Sequence, residues 1–138
     1  MLQGVNYGER DCQAIAYVRL LEEFGKSYLV RSHVSIPKLG TARGAHLDII
    51  LQHPATQRIV LVIEVKKRPD SKARKQGERY AKLTGAPVIY LRGMAECQRA
   101  VGIVRKALKE IGQRGALQGP GELGRPAAPA ARGTYDDP

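Results

Sequence analysis

The chain has 138 residues with a single Phe and no Trp, enough for one domain whose modest core must be filled by Val, Ile, Leu and Ala. Its net charge is +10, all of it in residues 1–112, which carry 20 Lys and Arg against 10 Asp and Glu, while residues 113–138 carry 3 against 3. That balance suits a polyanionic partner such as a phosphate backbone. The absence of any apolar run near the ~20 residues of a membrane span argues against membrane insertion. Nothing like a signal peptide opens the chain, so a cytoplasmic location is expected.

Residues 8–24 place Cys12, Ile15, Ala16, Val18, Leu21 and Phe24 at helical spacing, and Gly25 stops the pattern. Three extended segments follow, Ser27 to Ile36, Ala45 to Gln52 and Arg58 to Lys66, with connections short enough to imply an antiparallel meander. Asp70 or Ser71 caps a second helix reaching about Leu83. Thr84-Gly85-Ala86-Pro87 then breaks it before a fourth strand at Val88-Ile89-Tyr90-Leu91. A last helix from Met94 to Ile111 carries the stripe Val101, Val104, Leu108, Ile111. The expected fold class is α/β, with a small mixed sheet covered by helices on both faces. Residues 113–138, rich in Gly, Pro and Ala, are predicted to be a disordered tail beyond a domain spanning 1–112. Cys12 and Cys97, far apart and each among apolar neighbours, read as buried reduced thiols.

The informative residues lie in the second and third extended segments. Asp48 interrupts His46-Leu47-Asp48-Ile49-Ile50-Leu51, and Glu64 and Lys66 end the apolar run that starts at Ile59. Strands apolar on both alternations are buried on both faces, where an ionised group is expensive unless it is paired or metal-bound. Glu64 and Lys66 leave their strand on one face, and Asp48 can reach that face from the neighbouring strand. Two carboxylates, the Val65 carbonyl and an ammonium suit Mg²⁺-assisted phosphodiester hydrolysis, with Mn²⁺ as a substitute: Asp48, Glu64 and Val65 as metal ligands, Lys66 to hold the attacking water. The bland alternative is a surface Asp48 and an ordinary Glu64–Lys66 ion pair.

Asp48 followed by Glu64-Val65-Lys66, in the element order αβββαβ, resembles the PD-(D/E)xK nuclease superfamily over roughly residues 8 to 110. Leu47 stands where the signature has proline. The resemblance implies a restriction-endonuclease-like core and a metal-dependent deoxyribonuclease of DNA repair, recombination or mobile-element processing. Gln76-Gly77-Glu78-Arg79-Tyr80 is similar to the QxxxY motif of RecB-like members, which implies that Gln76 and Tyr80 help hold nucleic acid beside the metal. The alternative is a Tyr packed on the sheet. Gly8-Glu9-Arg10 resembles the first helix of archaeal Holliday junction resolvases, which implies Glu9 as a further metal ligand. Glu9 can equally be part of a capping box with Asn6.

Lys66, Lys67, Arg68, Lys72, Arg74, Lys75, Arg79 and Lys82 form a basic run that can grip a phosphate backbone, and Lys38 and Arg43 add a basic loop before Asp48. His33, His46 and His53 lack ligand spacing and are expected to be structural. A homodimer is expected if both strands of a duplex are cut, and a helicase or recombination protein is a possible partner. The rivals are a nucleic-acid-binding module that keeps the fold without catalysis and a structure-specific junction resolvase.

Overall fold

The computed structural model describes residues 8–37, 44–68 and 70–118. Its elements run α1 (Glu9–Phe24), β1 (Leu29–Ile36), β2 (Ala45–Gln52), β3 (Ile59–Lys66), α2 (Ser71–Thr84), β4 (Val88–Arg92), α3 (Gly93–Gln98) and α4 (Ala100–Gln118). The four strands form one sheet in the order β1-β2-β3-β4. β1, β2 and β3 pair antiparallel as the expected meander, and β4 joins parallel to β3. The α/β class and mixed sheet anticipated from the sequence are present.

Two core layers sandwich the sheet. On one face Cys12, Ala16, Leu20 and Phe24 of α1 meet Ile49, Leu51, Leu61, Ile63 and Val65, with Cys97, Ala100 and Val104 of α3 and α4 closing the layer. On the other, Tyr80 of α2 packs with Ala45, Leu47, Ile50, Ile59 and Val62. Placing Ile49, Ile50 and Leu51 in alternate layers accounts for an apolar run with no polar face, as a doubly covered strand requires. Both cysteines are buried and unbridged. Among the described residues no helix is long and apolar enough to cross a membrane.

Local chemistry fixes the helix ends near the candidate site. Asp70 caps α2, its carboxylate accepting the Ala73 N–H at 2.9 Å. Gly85 ends the helix in the left-handed region (φ 71), and its N–H returns to the Ala81 carbonyl. Gly77 is required by a close approach: a Cβ there would lie 2.0 Å from the Tyr90 hydroxyl, which donates to the Ala73 carbonyl at 2.7 Å.

Several boundaries differ from the sequence reading. The buried stripe of α1 is Cys12, Ala16, Leu20 and Phe24, while Val18 (52% exposed) and Leu21 face outward. The last helix is divided at Arg99 into α3 and α4. α4 continues through Gln118, so residues 113–118 of the expected tail are helical, and residues 119–138 lie outside the described part. At the start of α1 the Gly8 N–H donates to the Asp11 carboxylate, the short local contact that Glu9 was expected to provide with Asn6. Asn6 itself lies outside the described residues.

Candidate metal and nucleic-acid site

The β2–β3 ladder ends at Ile49↔Ile63. Beyond it two carboxylates take over the work of backbone carbonyls. Asp48 N–H donates to Glu64 Oε2 at 2.9 Å, and Val65 N–H donates to Asp48 Oδ2 at 2.8 Å. Each acid thereby satisfies a main-chain donor of the strand opposite, which brings both into the gap where the strands part. The other edge of β3 stays regular, pairing with β4 through Lys66↔Arg92.

This placement is electrostatically costly. Burial raises the pKa of Asp48, opposed by the Val65 N–H and the nearby charge of Lys66. Glu64, only 3% exposed, is pushed up to about 7 by burial and then by the charge of Asp48. Glu9 adds to the repulsion on both acids. Among the described residues Lys66 makes no contact ion pair with Glu64, unlike Arg92 with Glu96 and Arg105 with Glu23. The simple paired-charge reading of Glu64 and Lys66 therefore does not hold, and two acids share a gap with incomplete neutralisation.

Glu9 reaches the same neighbourhood from α1, where its Oε2 accepts the Lys67 N–H at 3.1 Å. Together with Lys66 and Gln76 it lines an open cleft of about 740 Å³. Arg68, Lys72, Lys75 and Arg79 complete the cationic lining, and Asp70 is the other acid there. Lys72, Lys75, Gln76 and Arg79 fall on one side of α2; the exposed Arg74 falls on another, and the exposed Lys82, on the same side as Lys75, lies about two turns further along the helix. Lys67 is also exposed outside the cleft lining. Arg79 in addition donates to the Gly44 carbonyl at 3.0 Å, tying α2 to the chain just before β2.

The Gln76–Tyr80 pair separates. Gln76 lines the cleft, but Tyr80, 3% exposed, belongs to the core with the Arg79 guanidinium 5.2 Å above its ring. Four residues along a helix is slightly more than one turn, and here that offset carries Tyr80 under the sheet. Lys38 and Arg43 lie outside the described residues. His46 bonds the Ser35 hydroxyl, and His53 accepts the Ala55 and Thr56 N–H groups within a turn, both structural roles. Sequence reasoning missed Gln13, which is buried and donates to the Asp48 carbonyl at 3.0 Å. Its one signal was position, a polar residue one turn after Glu9 on a helix that must bury that side.

No group of three or more His, Cys, Asp or Glu side chains among the described residues is placed to share a metal ion. A hard divalent ion that retains several waters needs one or two carboxylates, and Asp48 and Glu64 meet that requirement. Their burial and mutual repulsion are the penalties that a bound cation removes. Asp48 and Glu64 are the carboxylates such an ion would take, and each of them, like Glu9, accepts one backbone N–H through a single oxygen. No family model, curated protein or solved structure gives a significant match to this chain.

Proposed function

We propose that the protein is a Mg²⁺-dependent nuclease that hydrolyses DNA phosphodiester bonds, built on a restriction-endonuclease-like core of the PD-(D/E)xK kind. The observation that carries this reading is the reciprocal bonding of Asp48 and Glu64 where β2 and β3 part, together with a cleft of five cationic side chains whose lining includes Glu9 and Lys66, the two charges that act on both acids. The element order, helix, meander, helix, parallel strand, supports it. Asp48 and Glu64 would hold the metal, which when bound activates water and offsets charge on the phosphoryl oxygens. Lys66, whose charge acts on both acids, would orient the attacking water and steady the phosphate. Lys72, Lys75 and Arg79 hold the backbone of the strand through sequence-independent contacts. DNA processing in repair, recombination or mobile-element movement, in the cytoplasm and with a homodimer for two-strand cleavage, belongs to the same reading.

A second reading is a nucleic-acid-binding module without catalysis. It is favoured by the absence, among the described residues, of three or more His, Cys, Asp or Glu side chains placed to share a metal ion. One experiment separates the two: plasmid, linear, nicked and branched DNA incubated with the protein in Mg²⁺, Mn²⁺ or EDTA, beside Asp48→Ala and Lys66→Ala. Cleavage in Mg²⁺ and Mn²⁺ that stops in EDTA and falls by about a hundredfold or more in each variant is expected of a nuclease. Binding throughout with no cleavage in any condition selects the module.

A further inference from the structure

Three polar side chains among the described residues are buried: Gln13, Gln52 and Glu64. Glu64 belongs to the site above, and Gln52 closes a turn by donating to the Gln57 carbonyl while accepting from Arg31. Gln13 remains. It sits in the second turn of α1, 8% exposed, and its amide donates to the backbone carbonyl of Asp48 at 3.0 Å. The same amide nitrogen lies 3.4 and 3.5 Å from the two ring nitrogens of His33.

Asp48 occupies an unusual point of the sheet. Ala45 and Leu47 pack in the α2 layer, yet Ile49 and Leu51, on the same parity, pack in the α1 layer. β1 behaves in the same way, with Val30 in the α1 layer and Val34 and Ile36 against the α2 layer. Both strands therefore turn over at one register position. The pairs flanking it are Ser32↔Ile49 and Val34↔Leu47, so the turnover falls at His33 opposite Asp48. His33 has φ 54, a left-handed conformation that a non-glycine strand residue rarely adopts.

We propose that Gln13 is a positioning residue that sets the direction of the Asp48 carboxylate by holding the Asp48 carbonyl where β1 and β2 turn over. The peptide preceding Asp48 is fixed through its N–H by Glu64, and the peptide following it is fixed through its carbonyl by Gln13. With both flanking peptide planes pinned, φ and ψ of residue 48 are determined, and with them the direction of its Cβ. The Asp48 carboxylate then meets the Val65 N–H. Gln13 lies one turn after Glu9, so the same contact sets how far α1 slides along the sheet and where Glu9 meets Lys67. The inference rests on the nuclease reading only where it concerns metal affinity.

The test compares Gln13→Met, which keeps the length and loses the donor, with Gln52→Met, an equally buried glutamine outside the site. Amide exchange is measured on the metal-free proteins, and Mn²⁺ affinity by electron paramagnetic resonance. Gln13→Met is expected to speed exchange of the Asp48 and Val65 amides about tenfold beyond any change at Ile50 and Leu61, and to weaken Mn²⁺ binding by about tenfold to a hundredfold. Gln52→Met lowers the melting temperature without either effect. Exchange that rises only in step with global stability, or Mn²⁺ affinity equal to wild type, overturns the proposal. If wild type binds no Mn²⁺ the nuclease reading falls, and the selective exchange at Val65 alone decides the role of Gln13. Should Gln13→Met not fold, the shorter polar Gln13→Asn is judged by the same two readouts.

Discussion

The two halves of β2 solve the same problem by opposite means. From Ile49 to Leu51 the strand is laddered on both sides and covered on both faces, so backbone satisfies backbone in a dry interior. One residue earlier the β3 ladder stops, and the carboxylates of Asp48 and Glu64 stand in for the missing carbonyls. The first half concentrates apolar packing. The second concentrates charge that packing alone does not stabilise. The comparison makes stability and activity separable by position.

The laddered half supports the largest stability effect. Leu61 is fully buried opposite Leu51, so Leu61→Ala is expected to lose about 2–5 kcal/mol in chemical denaturation. Any nuclease activity should survive at temperatures where the variant stays folded. A mild Leu61→Ala, or one that abolishes activity while folded, breaks the division between the halves.

Glu64 sharpens it from the other side. Its folded pKa of about 7 lies above the ordinary value of 4.5, so between those pH values the folded chain binds more protons than the unfolded one. Stability of the metal-free protein should therefore fall as pH rises from about 4.5 through 7. At about 1.4 kcal/mol per pKa unit the loss is on the order of 3 kcal/mol. Glu64→Gln keeps an acceptor for the Asp48 N–H and removes the charge. It should flatten that part of the pH profile, melt higher than wild type at pH 8, and destroy cleavage. A variant less stable than wild type at pH 8 would mean that the Glu64 charge stabilises the fold.

Tyr90 pairs with Glu64 across β3 and β4, on the edge where the sheet remains regular. Gly77→Ala pushes a methyl group into the Tyr90 hydroxyl and is expected to cost about 1–3 kcal/mol. Adding Tyr90→Phe should recover part of that loss, since it removes the atom in closest approach. If Gly77→Ala is silent in thermal melts, α2 does not press on this edge as tightly as the geometry requires.

The contrast between the halves also marks what the sequence could disclose. Asp48, Glu64 and Lys66 stood out because charge in an apolar run is physically expensive, and the meander was legible because its connections are short. The turnover at His33 and Asp48 was hidden: Ile49, Ile50 and Leu51 are apolar on both parities, so no alternation records a change of face. Tyr80 and Gln76 looked equivalent because spacing alone does not say which side of a helix the sheet covers. Val18 and Leu21 fitted a helical stripe as well as Leu20 does, and only packing against β3 and α3 decides among them. Gln13 was invisible for the same reason, its partner being a backbone atom 35 residues away.

The smallest expected effect concerns which charges of the basic run act beside the splayed half. Lys75 lines the cleft, whereas Lys82 is exposed in the last turn of α2 outside it. Each phosphate contact releases counterions, so losing one lowers the slope of log affinity against log salt by about 1. Fluorescence anisotropy with an oligonucleotide in EDTA, where cleavage is suppressed, should show that reduction for Lys75→Ala. Lys82→Ala should leave the slope unchanged and remove only a favourable charge at the helix C-terminus, about 0.3–1 kcal/mol of stability. Equal slopes for both variants would mean that the phosphate backbone follows the whole exposed surface of α2. The nucleic acid would then lie away from the cleft that Glu9 and Lys66 line, and Asp48 and Glu64 would have to be explained without it.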